Sequence, residues 1–132
     1  MIQTNLPRRV DSARRRLQDV GSGRISDHMR FYTSLDAAYL CCLEIAERTG
    51  FDPAKLDPDS DHPHLAVFHR AVSRLGLRAG EAEAWYLALR EQYGGHELRT
   101  EIEADAAAAW AQGVYEAALA WLCTLPPPVA LP

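Results

Sequence analysis

The side chains able to do chemistry fall into a few short clusters. A polar junction carrying Arg90, Tyr93 and His96 lies between a helix that ends at Gly94-Gly95 and a long alanine-rich helix. Three histidines, His62, His64 and His69, gather upstream, but His64 and His69 stand five apart, not at the four-residue spacing that brings two imidazoles to one metal on a helix face. Surface and capping roles account for them. Asp57, Asp59 and Asp61 alternate like the start of a calcium loop, yet His62 stands where that loop needs glycine and Phe68 where it needs glutamate. Capping and solvation explain these aspartates better. Cys41, Cys42 and Cys123 make a poor disulfide framework, because neighbours rarely bridge and one thiol is left over. All three sit in apolar helical surroundings, as small buried hydrophobes of a reducing compartment would. There is no Gly-rich phosphate loop after a strand, no paired-cysteine zinc pattern and no G-x-S-x-G elbow. No metal and no cofactor is expected, and the junction is what remains.

Length and composition bound what can position that junction. The chain has 132 residues, enough for one domain with its own core, and 48% of them are hydrophobic, which argues against disorder. The longest apolar run, Ala37 to Leu43, falls far short of the roughly 20 residues a membrane helix needs. The first thirty residues lack the continuous apolar stretch of a secretory signal, so the expectation is a cytoplasmic protein with no membrane partner. Those same residues hold seven arginines against three aspartates, a balance of +4, which leaves −8 for the rest of a chain with net charge −4. A basic arm on an acidic body implies either nucleic-acid contact through Arg8, Arg9, Arg14, Arg15 and Arg16 or an arm that folds back on its own domain.

The hydrophobic periodicity is helical throughout, with no strand-like alternation and no internal repeat. Residues 1–23 form a basic N-terminal helix and a Gly-Ser-Gly turn, with Leu6, Val10, Ala13, Leu17 and Val20 on one face. Residues 24–125 form a helical bundle and 126–132 a proline-rich tail. Ser26 caps a central helix over 27–49 whose stripe is Phe31, Leu35, Ala38, Cys42 and Ile45; its other sides are also apolar, so several neighbours must cover it. Prolines at 53, 58 and 63 mark a surface loop, after which Leu65, Phe68, Val72 and Leu75 define a third helix closed by Gly76. A fourth spans 81–93 with Trp85 and Leu89 as its core residues. The fifth starts at Glu97 or after Thr100, where Thr100-Glu101-Ile102-Glu103 matches a capping box. Its small positions Ile102, Ala106, Ala109, Gly113, Ala117 and Ala120 predict a closely packed inner seam, with Arg99, Glu101, Glu103, Gln112 and Glu116 pointing elsewhere. The fold class is therefore all-α, a single four- to five-helix bundle with a central buried helix and a long alanine-rich C-terminal helix.

Three features resemble the HEPN superfamily of small helical bundles. They are the central Leu35-Asp36-Ala37-Ala38-Tyr39-Leu40 helix, the histidine-bearing helix from His64 to Leu77 after a loop, and Leu89-Arg90-Glu91-Gln92-Tyr93 ahead of an alanine-rich final helix. Together they span roughly residues 24–122. The resemblance implies a metal-independent endoribonuclease in which a dimer brings two arginine–histidine pairs together. His96 would be the general acid or base while a ribose 2′-hydroxyl attacks the adjacent phosphate, and Arg90 would offset charge on the phosphoryl oxygens. It also implies a homodimer, RNA as ligand, and a toxin or accessory subunit paired with an antitoxin or nucleotidyltransferase. Many HEPN members lack the catalytic pair and act as binding modules. The second expectation is accordingly a non-catalytic helical protein–protein interaction module, with Arg90 a helix-terminal charge that satisfies carbonyls or pairs with a carboxylate.

Overall fold

The computed structural model describes residues 6–52, 65–90 and 98–125. They form five helices, α1 (Arg8–Gly21), α2 (Asp27–Arg48), α3 (Leu65–Leu75), α4 (Ala79–Arg90) and α5 (Glu101–Cys123), with no strand among the described residues. The all-α bundle expected from periodicity is what the chain adopts. No helix among the described residues is long and apolar enough to cross a membrane.

Ser26 accepts a hydrogen bond from the Met29 N–H and starts α2. Phe31, Leu35, Ala38, Cys42 and Ile45 are buried on it, and so are Tyr32, Ser34, Ala37, Cys41 and Ala46. An apolar surface that wide has to be wrapped, and α1, α3, α4 and α5 all pack on α2. Fully burying a side chain such as Phe31, Leu35 or Ile45 contributes on the order of 1.5–3 kcal/mol each, which makes this packing the largest favourable term. The basic N-terminal segment belongs to the same core: Val10 and Ala13 of α1 are completely buried in one cluster with Ala38, Cys42, Phe68, Val72, Val114 and Ala118. A second, smaller cluster of Phe31, Tyr32, Leu35, Ala104 and Ala107 sits near the N-terminal ends of α2 and α5.

Aromatic rings join the two clusters. Phe31 lies 5.9 Å from Trp85, Trp85 stacks on Trp110 at 5.7 Å, and Trp110 stacks on Phe68 at 6.3 Å. Phe68 then meets Tyr86 at 5.8 Å and Tyr39 at 5.5 Å. These centroid distances fall in the favourable range for ring pairs.

Several expectations are corrected. The small-residue seam of α5 faces outward: Ile102, Ala106, Ala109, Gly113 and Ala120 are exposed, and the buried face is Ala104, Ala107, Ala111, Val114, Tyr115 and Ala118 on the other side of the helix. An alanine-rich helix offers two candidate stripes, and burial selects the one that takes Val114 and Tyr115 out of water. In α4, Ala82 and Tyr86 are the buried residues, whereas Trp85 and Leu89 are half-buried beside the second cluster; the helix opens at Ala79, two residues earlier than expected. Cys41 and Cys42 are buried as expected, but Cys123 in the last turn of α5 is exposed. Burial pushes the Cys41 thiol up to about 12 and the Cys42 thiol higher still, so neither is a nucleophile near neutral pH. The loop aspartates, His62, His64, the 91–97 junction and the proline tail lie outside the described residues.

Two substitutions test this packing in opposite directions. The Ser34 hydroxyl is fully buried with no hydrogen-bond partner among the described residues, so Ser34→Ala should raise stability by about 1 kcal/mol. Thr100 accepts from the Glu103 N–H while the Glu103 carboxylate accepts from the Thr100 N–H, the capping box anticipated from sequence. Thr100→Ala should therefore lower stability by about 1 kcal/mol in urea unfolding.

Candidate functional site

The end of the bundle where α2 and α5 begin holds the densest set of polar and aromatic contacts. Arg99 directly precedes the Thr100 cap, so the start of α5 sets its position. Its guanidinium lies 4.4 Å over the Phe31 ring and 5.6 Å from the Tyr32 ring, close enough for cation–π attraction. Its Nε donates to Tyr32 Oη at 3.2 Å and its Nη1 to Glu103 Oε2 at 3.0 Å. The Arg99 backbone N–H donates to His28 Nδ1 at 3.2 Å, which places the neutral ring's proton on Nε2. His28 also meets Tyr32 edge-on at 5.0 Å. Nearby, Arg30 reaches Asp105 at 2.7 Å and ties α2 to α5 a second time.

Beside this cluster a groove of about 350 Å³ opens between α4 and α5. Phe31, Trp85, Ala84 and Ala88 form one wall, Ile102 and Ala106 the other, and Arg99 with Glu103 the polar edge. That edge is internally neutralised, because the two side chains bond each other. No nucleophile with an adjacent base lines the groove. Its walls are mainly apolar, and exposed residues beside it extend that surface: Ile102 is 82% exposed and Leu98 79%. From Ile102 and Ala106 the groove runs straight into the exposed small-residue face of α5.

Arg90 is the last residue of α4, exposed, and not among the groove-lining side chains. His96, Tyr93 and the two glycines between Arg90 and His96 lie outside the described residues, and the Arg90–His96 pair with them. Four of the five arginines of α1 are engaged, Arg9 across to α2 and Arg14, Arg15 and Arg16 within their own helix. Arg9 holds Glu47 through two hydrogen bonds of 2.5 and 2.9 Å and approaches Glu44 at 3.4 Å; the Glu47 bonds raise its pKa. Arg14 and Arg15 share Asp11, whose carboxyl is held below its usual range chiefly by the Arg14 hydrogen bond. Arg16 bonds the Ser12 hydroxyl, and Arg8 is exposed. Among the described residues no group of three His, Cys, Asp or Glu side chains could hold a metal ion.

Sequence reasoning missed His28, Tyr32 and Arg99 as a unit. Arg99 stands 71 and 67 positions from its two α2 partners, and only the four-residue step from Arg99 to Glu103, a recognisable helix pair, was visible locally.

The electrostatics of this corner give a pH signature. The Thr100 N–H first, and Arg99 second, hold the Glu103 carboxyl below its ordinary 4.5. A depressed carboxylate stabilises the fold fully above its unfolded value, and the contribution disappears as pH falls through the folded one. Unfolding midpoints of the native chain should therefore drop as pH is lowered from about 5 toward 3, and Glu103→Gln should show a shallower drop over that window. A parallel profile for the two proteins would contradict the assignment. No protein-family model, no curated protein and no solved structure matches this chain.

Proposed function

We propose that the protein is a non-catalytic helical interaction module that docks a helix of another protein along α5, with an apolar side chain of that helix seated in the Phe31–Trp85 groove. The observation that carries this reading is the outward face of α5. It presents Ile102, Ala106, Ala109, Gly113, the half-buried Ala117 and Ala120 in steps of three or four residues, as a helix does toward a helical partner. Gly113 sharpens the point. A helix-interior glycine costs roughly 0.5–1 kcal/mol relative to alanine, and a Cβ added here meets, beyond its own helix backbone, no atom of the described residues within 4 Å. The fold itself has no steric use for the glycine, whereas a second backbone approaching closely does.

Charge identifies the kind of partner. Arg99 offsets Glu103 and Arg30 offsets Asp105, but α5 has no basic residue of its own and Glu101 and Glu116 have no ion pair among the described residues, so two copies of this face would set acid against acid. A helix with a small or apolar seam and basic flanks is the complementary occupant. An antitoxin or nucleotidyltransferase subunit presenting such a helix fits this chemistry, as the HEPN resemblance suggests. The same acidity, and the ion pairs that engage Arg9, Arg14 and Arg15, weigh against extended contact with RNA phosphates.

The test uses two designed amphipathic peptides with one alanine–leucine seam, flanked by lysine in one and by glutamate in the other. Tryptophan fluorescence should report saturable binding of the lysine peptide alone, weakening as salt rises. Gly113→Leu should weaken binding by about tenfold or more while leaving the urea midpoint of the free protein no lower. Unchanged binding in Gly113→Leu would remove α5 as the docking face. A concentration-dependent dimer in sedimentation, abolished by the same substitution, would replace the partner helix with a second copy. RNA cleavage in EDTA that is lost in Arg90→Ala or His96→Ala would restore the ribonuclease reading.

A further inference from the structure

The opposite flank of α5, where it meets α1, holds a separate cleft of about 190 Å³. Arg14, Gln18, Gln112 and Tyr115 line it with polar groups and Leu17 supplies an apolar patch. Tyr115 is only 8% exposed, yet its phenol makes no hydrogen bond among the described residues and it is not one of the side-chain oxygens sealed from solvent. Its hydroxyl therefore opens to the cleft. The ring is buried while the hydroxyl stays open to solvent, where it can take a partner from the cleft. Arg14 spends Nε and Nη2 on Asp11 Oδ1 at 3.1 and 2.7 Å, which leaves Nη1 uncommitted among the described residues. Gln18 and Gln112 add two amide donors from facing helices.

Every polar side chain lining the cleft can donate a hydrogen bond, and the carboxylate that Arg14 pairs with, Asp11, is already shared with Arg15. We propose that this cleft binds a small free carboxylate, with the carboxylate oxygens accepting from Arg14 Nη1 and the Tyr115 hydroxyl and a short alkyl stem lying on Leu17. The apolar patch is what favours a carboxylate with a hydrocarbon stem over inorganic phosphate, which has none. The site is independent of the helix-docking face, since none of its lining residues belongs to the Phe31–Trp85 groove.

The experiment titrates the full-length, isotopically labelled protein with butyrate, and separately with inorganic phosphate, following the side-chain amide signals of Gln18 and Gln112 by NMR. Butyrate should give saturable shifts of both amides. Tyr115→Phe keeps the ring and should weaken binding about tenfold, the worth of one hydrogen bond to a charged acceptor. Arg14→Gln should weaken it at least as much. Because Arg14→Gln also disturbs Asp11, Gln112→Leu on the exposed side of α5 serves as the variant that leaves packing untouched, and it too should weaken butyrate. Linear, unsaturable shifts, or saturable shifts identical in Tyr115→Phe and Gln112→Leu, would overturn the proposal. Saturation by phosphate without saturation by butyrate would overturn the assignment of the ligand as a carboxylate.

Discussion

Burial of α2 on nearly every side is the constraint from which the remaining architecture follows. Phe31, Leu35, Ala38, Cys41, Cys42 and Ile45 cannot be covered by one neighbour, so α1, α3, α4 and α5 are drawn around a single axis. Each neighbour turns an apolar face to that task. For α5 this means Val114 and Tyr115 turn inward, and the stripe of smaller residues is left in water. The exposed face proposed for docking is thus a by-product of how the core was filled, and the groove beside it exists because α4 contributes Trp85 at half burial rather than a side chain driven fully inside.

Charge in this protein works at short range. Glu44 serves both Arg9 and Arg48, Asp11 serves both Arg14 and Arg15, and Arg30 spans Asp27 and Asp105. Solvent screens such pairs near the surface, so each contributes little to stability. Their larger effect is on what the surface offers. The arginine-rich α1, which alone would present a strong positive field, lies as a partly neutralised helix against an acidic body. Arg99 makes the same point in a more enclosed setting, where two aromatic faces and Glu103 accommodate its charge and bind the start of α5 to α2.

The two flanks of α5 invite different occupants for physical reasons. On the α4 side, aromatic and aliphatic surface meets a self-neutralised ion pair, an environment that gains from excluding water. On the α1 side, donors outnumber acceptors around a deeply set phenol, an environment that gains from an anionic oxygen. One helix can serve both because its two edges face neighbours of different composition, α4 with its tryptophan and alanines and α1 with its arginines and glutamine.

The sequence by itself determined the helices and several of their ends. Ser26, the Thr100 capping box, and the stop at Gly76, whose φ of 71° suits a residue without a side chain, are local signals that nearby backbone atoms read directly. It also determined that α2 is central, because apolarity on all sides has one structural solution. Only tertiary structure decided which stripe of α5 faces inward, since two stripes of similar smallness differ in burial energy only once α2 is there to receive one of them. Only tertiary structure brought His28 and Tyr32 to Arg99, a meeting across some seventy positions that no local period encodes. The same holds for Arg9 of α1: Glu44 and Glu47 become its partners only after α1 has folded against α2, whereas Arg14 and Arg15 pair with Asp11 inside their own helix.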